Sequence, residues 1–397
     1  MILRENYLEK LRKSKGMDFI KVITGIRRSG KSTLLKQFQN ELINNGIPPK
    51  NIISVNFEDL ENEPLLNYHQ LYKYLDEQLN KSESFYLFLD EIQQVSNFEK
   101  VLNSLFFKKN VDIYVTGSNA YMLSGELATL LSGRYIEISV YPLSFKEYHD
   151  YRQGDNRVSF YKYLEKGGFP YTTQIFDKQI LQDYMQGIIN TVLIKDVFNR
   201  KKQSDSLLVE SIVKFIFSSS GSLVSIKKIV DTLNSMNRKT SSPTVESYLS
   251  ALLEAFVFFK VDRYDIHGKK YLQLNSKYYV VDIGLKNAYL GKHRNDIGHD
   301  LENIVYLELL QRGYDVSIGN IPRENTEIDF IAQKNGEKHY FQVSATVMDP
   351  STFAREIKSL QLITDNFPKT LLTLDEITTG KEGIKQVNLI DWLLGEI

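Results

Sequence analysis

The sequence predicts an α/β protein built around a parallel sheet covered on both faces, and three observations predict it. Short apolar runs alternate with helical segments through the first 142 residues, the pattern of strands joined by crossover helices. A glycine-bracketed loop joins the first of these runs to the helix after it. A later run ends on two adjacent carboxylates, at the strand end where open α/β sheets bind ligands.

Taken in order, Asn6–Lys15 reads as a helix and Phe19–Thr24 as a buried strand. Lys31–Asn45 is the next helix. Ile52–Phe57, Phe85–Leu89 and Val111–Thr116 are further strands, separated by helices at Tyr68–Asn80 and Phe98–Phe107. A helix over Tyr121–Leu131 leads to a fifth strand, Tyr135–Val140. Past Pro142 the periodicity turns helical, at Ser144–Arg152, Ser159–Lys166 and Lys178–Phe198, with Gly167-Gly168-Phe169-Pro170 as a breaker. Polar Lys201–Ser206 reads as a hinge. Helices at Ser222–Asn234 and Ser242–Ala255 precede apolar alternation in Tyr271–Leu274 and Lys277–Val281, so a winged-helix module is expected. From Gly298 a fresh unit begins: a helix at Leu301–Arg312, strands near Asp315, Ile328 and Tyr340, then helix and strand.

Composition sets the outer limits. The chain has 397 residues, a length that suggests two to three domains. Lys plus Arg number 49 and Asp plus Glu number 49, so a globally basic nucleic-acid binder is not expected, although a local basic face is compatible with that balance. With 42% hydrophobic and 25% charged residues the chain is too apolar to be disordered. Cysteine is absent, which excludes disulfides, a thiol nucleophile and a Cys-rich zinc site; the six histidines show no metal-ligand spacing. No apolar stretch is long enough for a membrane helix and the charged N-terminus lacks a signal-peptide core, so a cytoplasmic protein without membrane contact is expected.

Gly25-Ile26-Arg27-Arg28-Ser29-Gly30-Lys31-Ser32 matches the phosphate-binding loop pattern in full, between a strand and a helix as the chemistry requires, with Thr33 following. The glycines permit the wrap that aims backbone N–H groups at phosphates, and the helix presents its positive end to the same anion. Lys31 is expected to reach the β- and γ-phosphates of ATP, and the Ser32 hydroxyl to ligate Mg²⁺. Arg27 and Arg28 lie where only backbone is needed and carry no catalytic role. In Tyr86-Leu87-Phe88-Leu89-Asp90-Glu91, Asp90 is expected to hold Mg²⁺ through water and Glu91 to polarise the attacking water. Ser118 and Asn119, ending the next strand, are both candidates for contact with the γ-phosphate, against a plain turn of turn-forming residues. Arg134 precedes the fifth strand, where ring-forming ATPases carry an arginine that reaches a neighbour's γ-phosphate; the alternative is a surface arginine at a helix end. The trans reading implies a homo-oligomer.

These residues resemble a bacterial and archaeal family of AAA+-like ATPases related to the archaeal ATPase and STAND groups. The resemblance rests on GIRRSGKST (Gly25–Thr33), LFLDEIQ (Leu87–Gln93), TGSNAYMLS (Thr116–Ser124) and SGRY (Ser132–Tyr135). It continues in YPLSFKEY (Tyr141–Tyr148), GGFP (Gly167–Pro170), LIKDVFNR (Leu193–Arg200) and KYYVVDIGL (Lys277–Leu285). It implies a P-loop ATPase core at 1–142, a helical lid at 143–204, a winged-helix module at 205–290 and a nuclease-like domain of PD-(D/E)XK type at 291–397.

For that last domain, Glu302, Asp329 and Gln342 fit acidic and amide places of the nuclease pattern. The place of the lysine holds Ser344, which supplies no positive charge, and Lys358 on the following helix is a distant substitute. Nuclease activity is therefore not expected. In the winged-helix segment Arg238, Lys239, Arg263, Lys269 and Lys270 suit DNA phosphates, but Glu246 and Glu254 stand on the candidate recognition helix, so DNA and a protein partner are both open. The leading expectation is an ATPase whose nucleotide state repositions its C-terminal domains. The rivals are a nucleotide-gated switch with negligible turnover and an ATP-dependent DNA nuclease.

Overall fold

The structure, a computed structural model, describes residues 2–80, 82–118, 131, 133–193, 197, 205–268, 270–291, 297–324 and 326–396. The expected helix over Tyr121–Leu131, the end of the helix expected to reach Phe198 and the hinge up to residue 204 lie outside them almost entirely. Among the described residues no helix is long and apolar enough to cross a membrane. The chain divides into two compact units, Met1–Tyr141 with Glu254–Phe256, and Pro142–Leu253 with Val257–Ile397.

In the first unit the described strands are β1 (Ile20–Thr24), β2 (Ile52–Asn56), β3 (Phe85–Asp90), β4 (Val111–Thr116) and β5 (Tyr135–Ser139). They form a parallel sheet in the order β2-β3-β4-β1-β5. The two faces follow from strand alternation. Phe85, Leu87 and Leu89 pack with Ile20 and Val22 against Leu71, Leu75, Val101 and Leu105 of helices α3 (Tyr68–Gln78) and α4 (Phe98–Phe106). Tyr86 and Phe88 face the other way, against Leu8 and Leu11 of α1 (Glu5–Ser14) and Leu34 and Phe38 of α2 (Lys31–Asn44). Every residue of β1 and β3 is buried, as a central parallel strand covered on both faces must be.

The second unit opens with helices α5 (Phe145–Arg152), α6 (Asn156–Lys166), α7 (Lys178–Val192) and α8 (Ser206–Ser218). The segment read as one helix over Ser222–Asn234 is instead a short strand β6 (Leu223–Val224) followed by α9 (Ile226–Ser235). Ser225 stops the helix from starting earlier, because its side chain caps the Lys228 N–H and frees Leu223 and Val224 to pair with a strand. After α10 (Ser242–Glu254) come β7 (Phe258–Asp265) and a single long β8 (Lys270–Val280) where two short runs were expected.

The rest of the unit is α11 (Ile283–Leu290), α12 (Ile297–Gln311), β9 (Asp315–Ile321), β10 (Thr326–Lys334), β11 (Glu337–Val343), α13 (Pro350–Gln361), β12 (Lys369–Thr373), β13 (Ile384–Asn388) and α14 (Leu389–Leu394). The β7–β8 hairpin is not a free-standing wing: β7 pairs in parallel with β9, giving one sheet in the order β13-β12-β11-β10-β9-β7-β8-β6. The sheet thus runs across residue 290, where the sequence reading ended its winged-helix module. The physical reason is the open edge of β7, whose unpaired N–H and C=O groups are satisfied by β9. On the other side of β9, Gly319 lets β10 approach closely, since a Cβ on it would stand 2.7 Å from the Ile328 side chain.

Candidate functional site

The phosphate-binding loop leaves β1 at Gly25, whose φ is +138°, and a Cβ at that position would meet the Val140 carbonyl oxygen at 2.1 Å. Only glycine fits. Gly30, at φ +100°, stands at the N-cap of α2 and brings no capping side chain, so the first-turn N–H groups are left for an anion. The loop is fastened from outside by Arg4, which donates to the Ser29 carbonyl (3.2 Å) and the Tyr141 carbonyl (3.0 Å). Lys31 is buried, and its Nζ donates to the Gly25 and Ile26 carbonyls at 3.0 and 3.3 Å. Ser32 and Thr33 are exposed, Ile26 is buried, and Arg27 pairs with Glu58 at 2.8 Å.

β3 delivers the carboxylates to the same end of the sheet. The registers Leu89↔Val115 and Ile23↔Thr116 set Thr116 beside both Asp90 and the start of the loop. Thr116 Oγ1 donates to Asp90 and accepts the Glu91 N–H at 2.8 Å. This hydroxyl, to which sequence reasoning assigned no role, orders both acids. Asp90 also shares a hydrogen bond with Ser32, so the two residues expected at Mg²⁺ are neighbours. Burial raises the Asp90 pKa above the ordinary carboxylate range, opposed by the Thr116 and Ser32 hydroxyls. Burial likewise pushes Glu91 up, but the Lys31 ammonium, the Gln93 amide and Arg27 outweigh it and hold its carboxyl below the usual range. Glu91 Oε1 lies 3.7 Å from Lys31 Nζ.

The oxygen donor set fits a hard divalent cation: one carboxylate and one hydroxyl, with remaining positions for phosphate and water, as Mg²⁺ is usually held. Ser118 is fully buried and hydrogen-bonds Glu91 and the Gln93 amide, the latter at 3.3 Å. Asn119 lies outside the described residues. The structure does not bring Arg134 to this cluster. Its carbonyl accepts the N–H of Ile20, the first residue of β1, whereas the loop follows the last. At about 3.3 Å per residue that is about 16 Å away. Its guanidinium stacks on Phe107 and Phe106, 4.9 and 5.4 Å from the ring centroids.

In the second unit Glu302 on α12, Asp329 on β10 and Gln342 on β11 do meet. Gln342 accepts the Asp329 N–H at 3.3 Å and donates to Glu356 at 2.9 Å. Ser344 is not among them; its hydroxyl bonds the Thr346 carbonyl, and Lys358 is exposed. The cation comes from a strand that sequence reasoning had placed in a different domain. Lys277 Nζ, on β8, is 2.5 Å from Glu327, 3.3 Å from Glu302 and 4.0 Å from Asp329. Burial lowers the Lys277 pKa, but the three carboxylates reverse that and leave it raised. Asp329 is raised well above its ordinary value, first by burial and then by Glu302. At the sequence level Lys277 stands as a charge inside an apolar strand and as the first residue of KYYVVDIGL. Among the described residues no group of three or more His, Asp or Glu side chains is arranged to hold a metal ion.

Residues 18–149 match an AAA domain family, and residues 157–296 match a domain of unknown function, DUF8612. An uncharacterized protein of Haemophilus influenzae is 41% identical over 401 residues, covering 99% of this chain and 99% of its own. An uncharacterized protein of Methanocaldococcus jannaschii is 29% identical over 388 residues, 94% of this chain and 85% of its own. The solved structure of a Walker-type ATPase from Pyrococcus abyssi superposes with a TM-score of 0.53 at 18% identity, over 73% of this chain and 96% of that one. That likeness is one of fold. Together with the AAA match, it makes the first unit a P-loop ATPase fold of the AAA+ kind.

Proposed function

The chain belongs to the family of the Haemophilus influenzae protein, and from that premise we propose that it binds ATP with Mg²⁺ and hydrolyses it, the nucleotide state repositioning the C-terminal unit. The observation that carries this reading is the convergence of Lys31, Ser32, Asp90 and Glu91 at one end of one sheet. Bound Mg²⁺ would neutralise charge on the β- and γ-phosphates. Ser32 would hold the cation directly and Asp90 through water. The loop from Gly25 to Gly30, with Ile26, Arg27, Arg28 and Ser29 between, wraps the phosphates with its N–H groups, and Thr33 extends the α2 end of that cradle. Lys31 exchanges its two carbonyl partners for phosphate oxygens. Glu91, ionised at neutral pH, orients the attacking water and takes its proton. Ser118, or Asn119 beside it, senses the γ-phosphate. Glu91 favours turnover over a pure switch, because a switch needs no water-polarising acid.

The direct test is nucleotide binding by Lys31→Ala. Losing hydrogen bonds between charged groups costs about 1.5–3 kcal/mol, so the ATP Kd in titration calorimetry should rise by about ten- to a hundredfold or more. An unchanged Kd would remove the phosphate-binding reading.

For the second unit, the order α12, three antiparallel strands, α13 and a strand parallel to β11 supports a nuclease-like domain, and α8–α10 with the β7–β8 hairpin support a winged-helix-like module. DNA and a protein partner are both candidates for the exposed Arg238 and Lys239, whereas Arg263 is half-buried and donates to Asn320. Lys277 makes the acidic cluster a buried ion-pair network, and we expect no DNA cleavage by the wild type with Mg²⁺. Cutting that disappears in Asp329→Ala would overturn this. Lys277→Met takes the shared cation from Glu327 and Asp329, leaves Glu302 to His299 at 3.5 Å, and should cost about 3–5 kcal/mol in urea unfolding. The loss should deepen with rising pH. A carboxyl whose folded pKa is raised contributes stability below its unfolded pKa and loses it as pH climbs through the folded value. Lys277→Met should therefore be closer to wild type at pH 5 than at pH 8.

A further inference from the structure

We propose that Gln93 is a positioning residue of the hydrolysis site, fixing the Glu91 carboxylate and coupling it to Ser118 at the end of β4. The inference rests on the ATPase reading above and adds a residue that reading does not use. Glu91 occupies an unusual place. It closes β3 with a left-handed backbone, φ +57° and ψ +45°, an uncommon conformation for a residue other than glycine, at the N-cap of a one-turn helix over Ile92–Gln94. Two residues on, that turn brings the Gln93 side chain back over Glu91. Its Nε2 donates to Glu91 Oε2 and to Ser118 Oγ. One carboxylate oxygen thus faces Lys31 and the other faces Gln93.

The arrangement answers a physical problem. A glutamate has three rotatable side-chain bonds, and a buried ammonium 3.7 Å away draws it toward a direct ion pair. A carboxylate drawn onto Lys31 would leave the water it has to orient. The Gln93 amide anchors the far oxygen. The same amide group reaches Ser118, just past β4, which also bonds Glu91 directly, so the three side chains form one mutually bonded set. Gln93 Oε1 is buried and has no hydrogen-bond partner among the described residues.

The test compares wild type, Gln93→Met and Ser118→Ala in steady-state ATP hydrolysis, with ATP binding measured by calorimetry. Methionine keeps the volume and removes the donor. Gln93→Met should lower kcat at least tenfold while KM and Kd for ATP stay within about threefold, the split expected of an interaction needed in the transition state. The double variant should lose less than the product of the two single losses, because Gln93 and Ser118 bond each other and the same carboxylate. A wild-type kcat in Gln93→Met, loss of ATP binding by Gln93→Met, or fully multiplicative losses in the double variant would each overturn the role of Gln93 with the ATPase reading intact. A wild type that binds ATP and does not turn it over would overturn the ATPase reading itself, and this inference with it.

Discussion

Glu91→Gln should bind ATP at least as tightly as wild type and hydrolyse it about 10²–10⁴ times more slowly, the range that a positioned general base contributes. The two arms have separate causes. Glutamine is nearly the same size and keeps a carbonyl that the Gln93 amide can still bond, so the turn after β3 has no reason to refold. It has no basic oxygen, so the proton of the attacking water has nowhere to go. Binding should not suffer, because the carboxylate stands 3.7 Å from Lys31 and competes with phosphate for that ammonium; removing its charge relieves the competition. The measurement is a single-turnover hydrolysis assay beside a binding titration. Wild-type turnover would exclude Glu91 as the base. Lost binding would mean that Glu91 builds the site and performs no step in it.

Arg134→Ala should leave ATP binding unchanged and slow hydrolysis about 10³-fold or more, the contribution of an arginine supplied to the transition state in other P-loop enzymes. The position of Arg134 makes this a sharp expectation. It stands at the strand end remote from its own phosphate-binding loop, stacked on two phenylalanines, and the exposed Phe107 holds the guanidinium at the surface. On the proposed trans reading, it would reach the nucleotide of a second copy of the chain from there. Specific activity should then rise with protein concentration. Mixing Arg134→Ala with Glu91→Gln should recover part of the activity, since a mixed interface pairs one intact acid with one intact arginine. Activity independent of concentration, with no recovery after demonstrated subunit exchange, would leave Arg134 as a charge resting on aromatic rings.

Much of the first unit was legible because its signals are contiguous. β1, the loop and α2 follow one another without a gap, and the tight backbone at Gly25 is written in the residue itself. The Asp90–Glu91 pair was legible for the same reason, as the end of an unbroken apolar run. Thr116 was not, since its role depends on which strand lies beside β3, and alternation of apolar residues says that a strand is buried without naming its neighbour. The helix at Ser222–Asn234 was misjudged on a local detail, the capping hydroxyl of Ser225, that stands in the sequence and carries little weight against a run of helix-compatible residues.

The second unit shows the same division more clearly. The sequence by itself determined that Glu302, Asp329 and Gln342 lie on a helix and two strands of one compact region, because their spacing follows the elements. It also determined that Ser344 brings no charge. Only the tertiary structure decided that a lysine reaches the cluster regardless. Lys277 lies 25 residues before Glu302, on a hairpin that joins the sheet through the pairing of β7 with β9. Strand order and register are set by which edges are left unpaired once the chain collapses, and they are decided across the whole sheet at once. Spacing along the chain carries the elements; the partners of a buried charge are chosen by the fold, which cannot leave that charge alone in a medium of low dielectric.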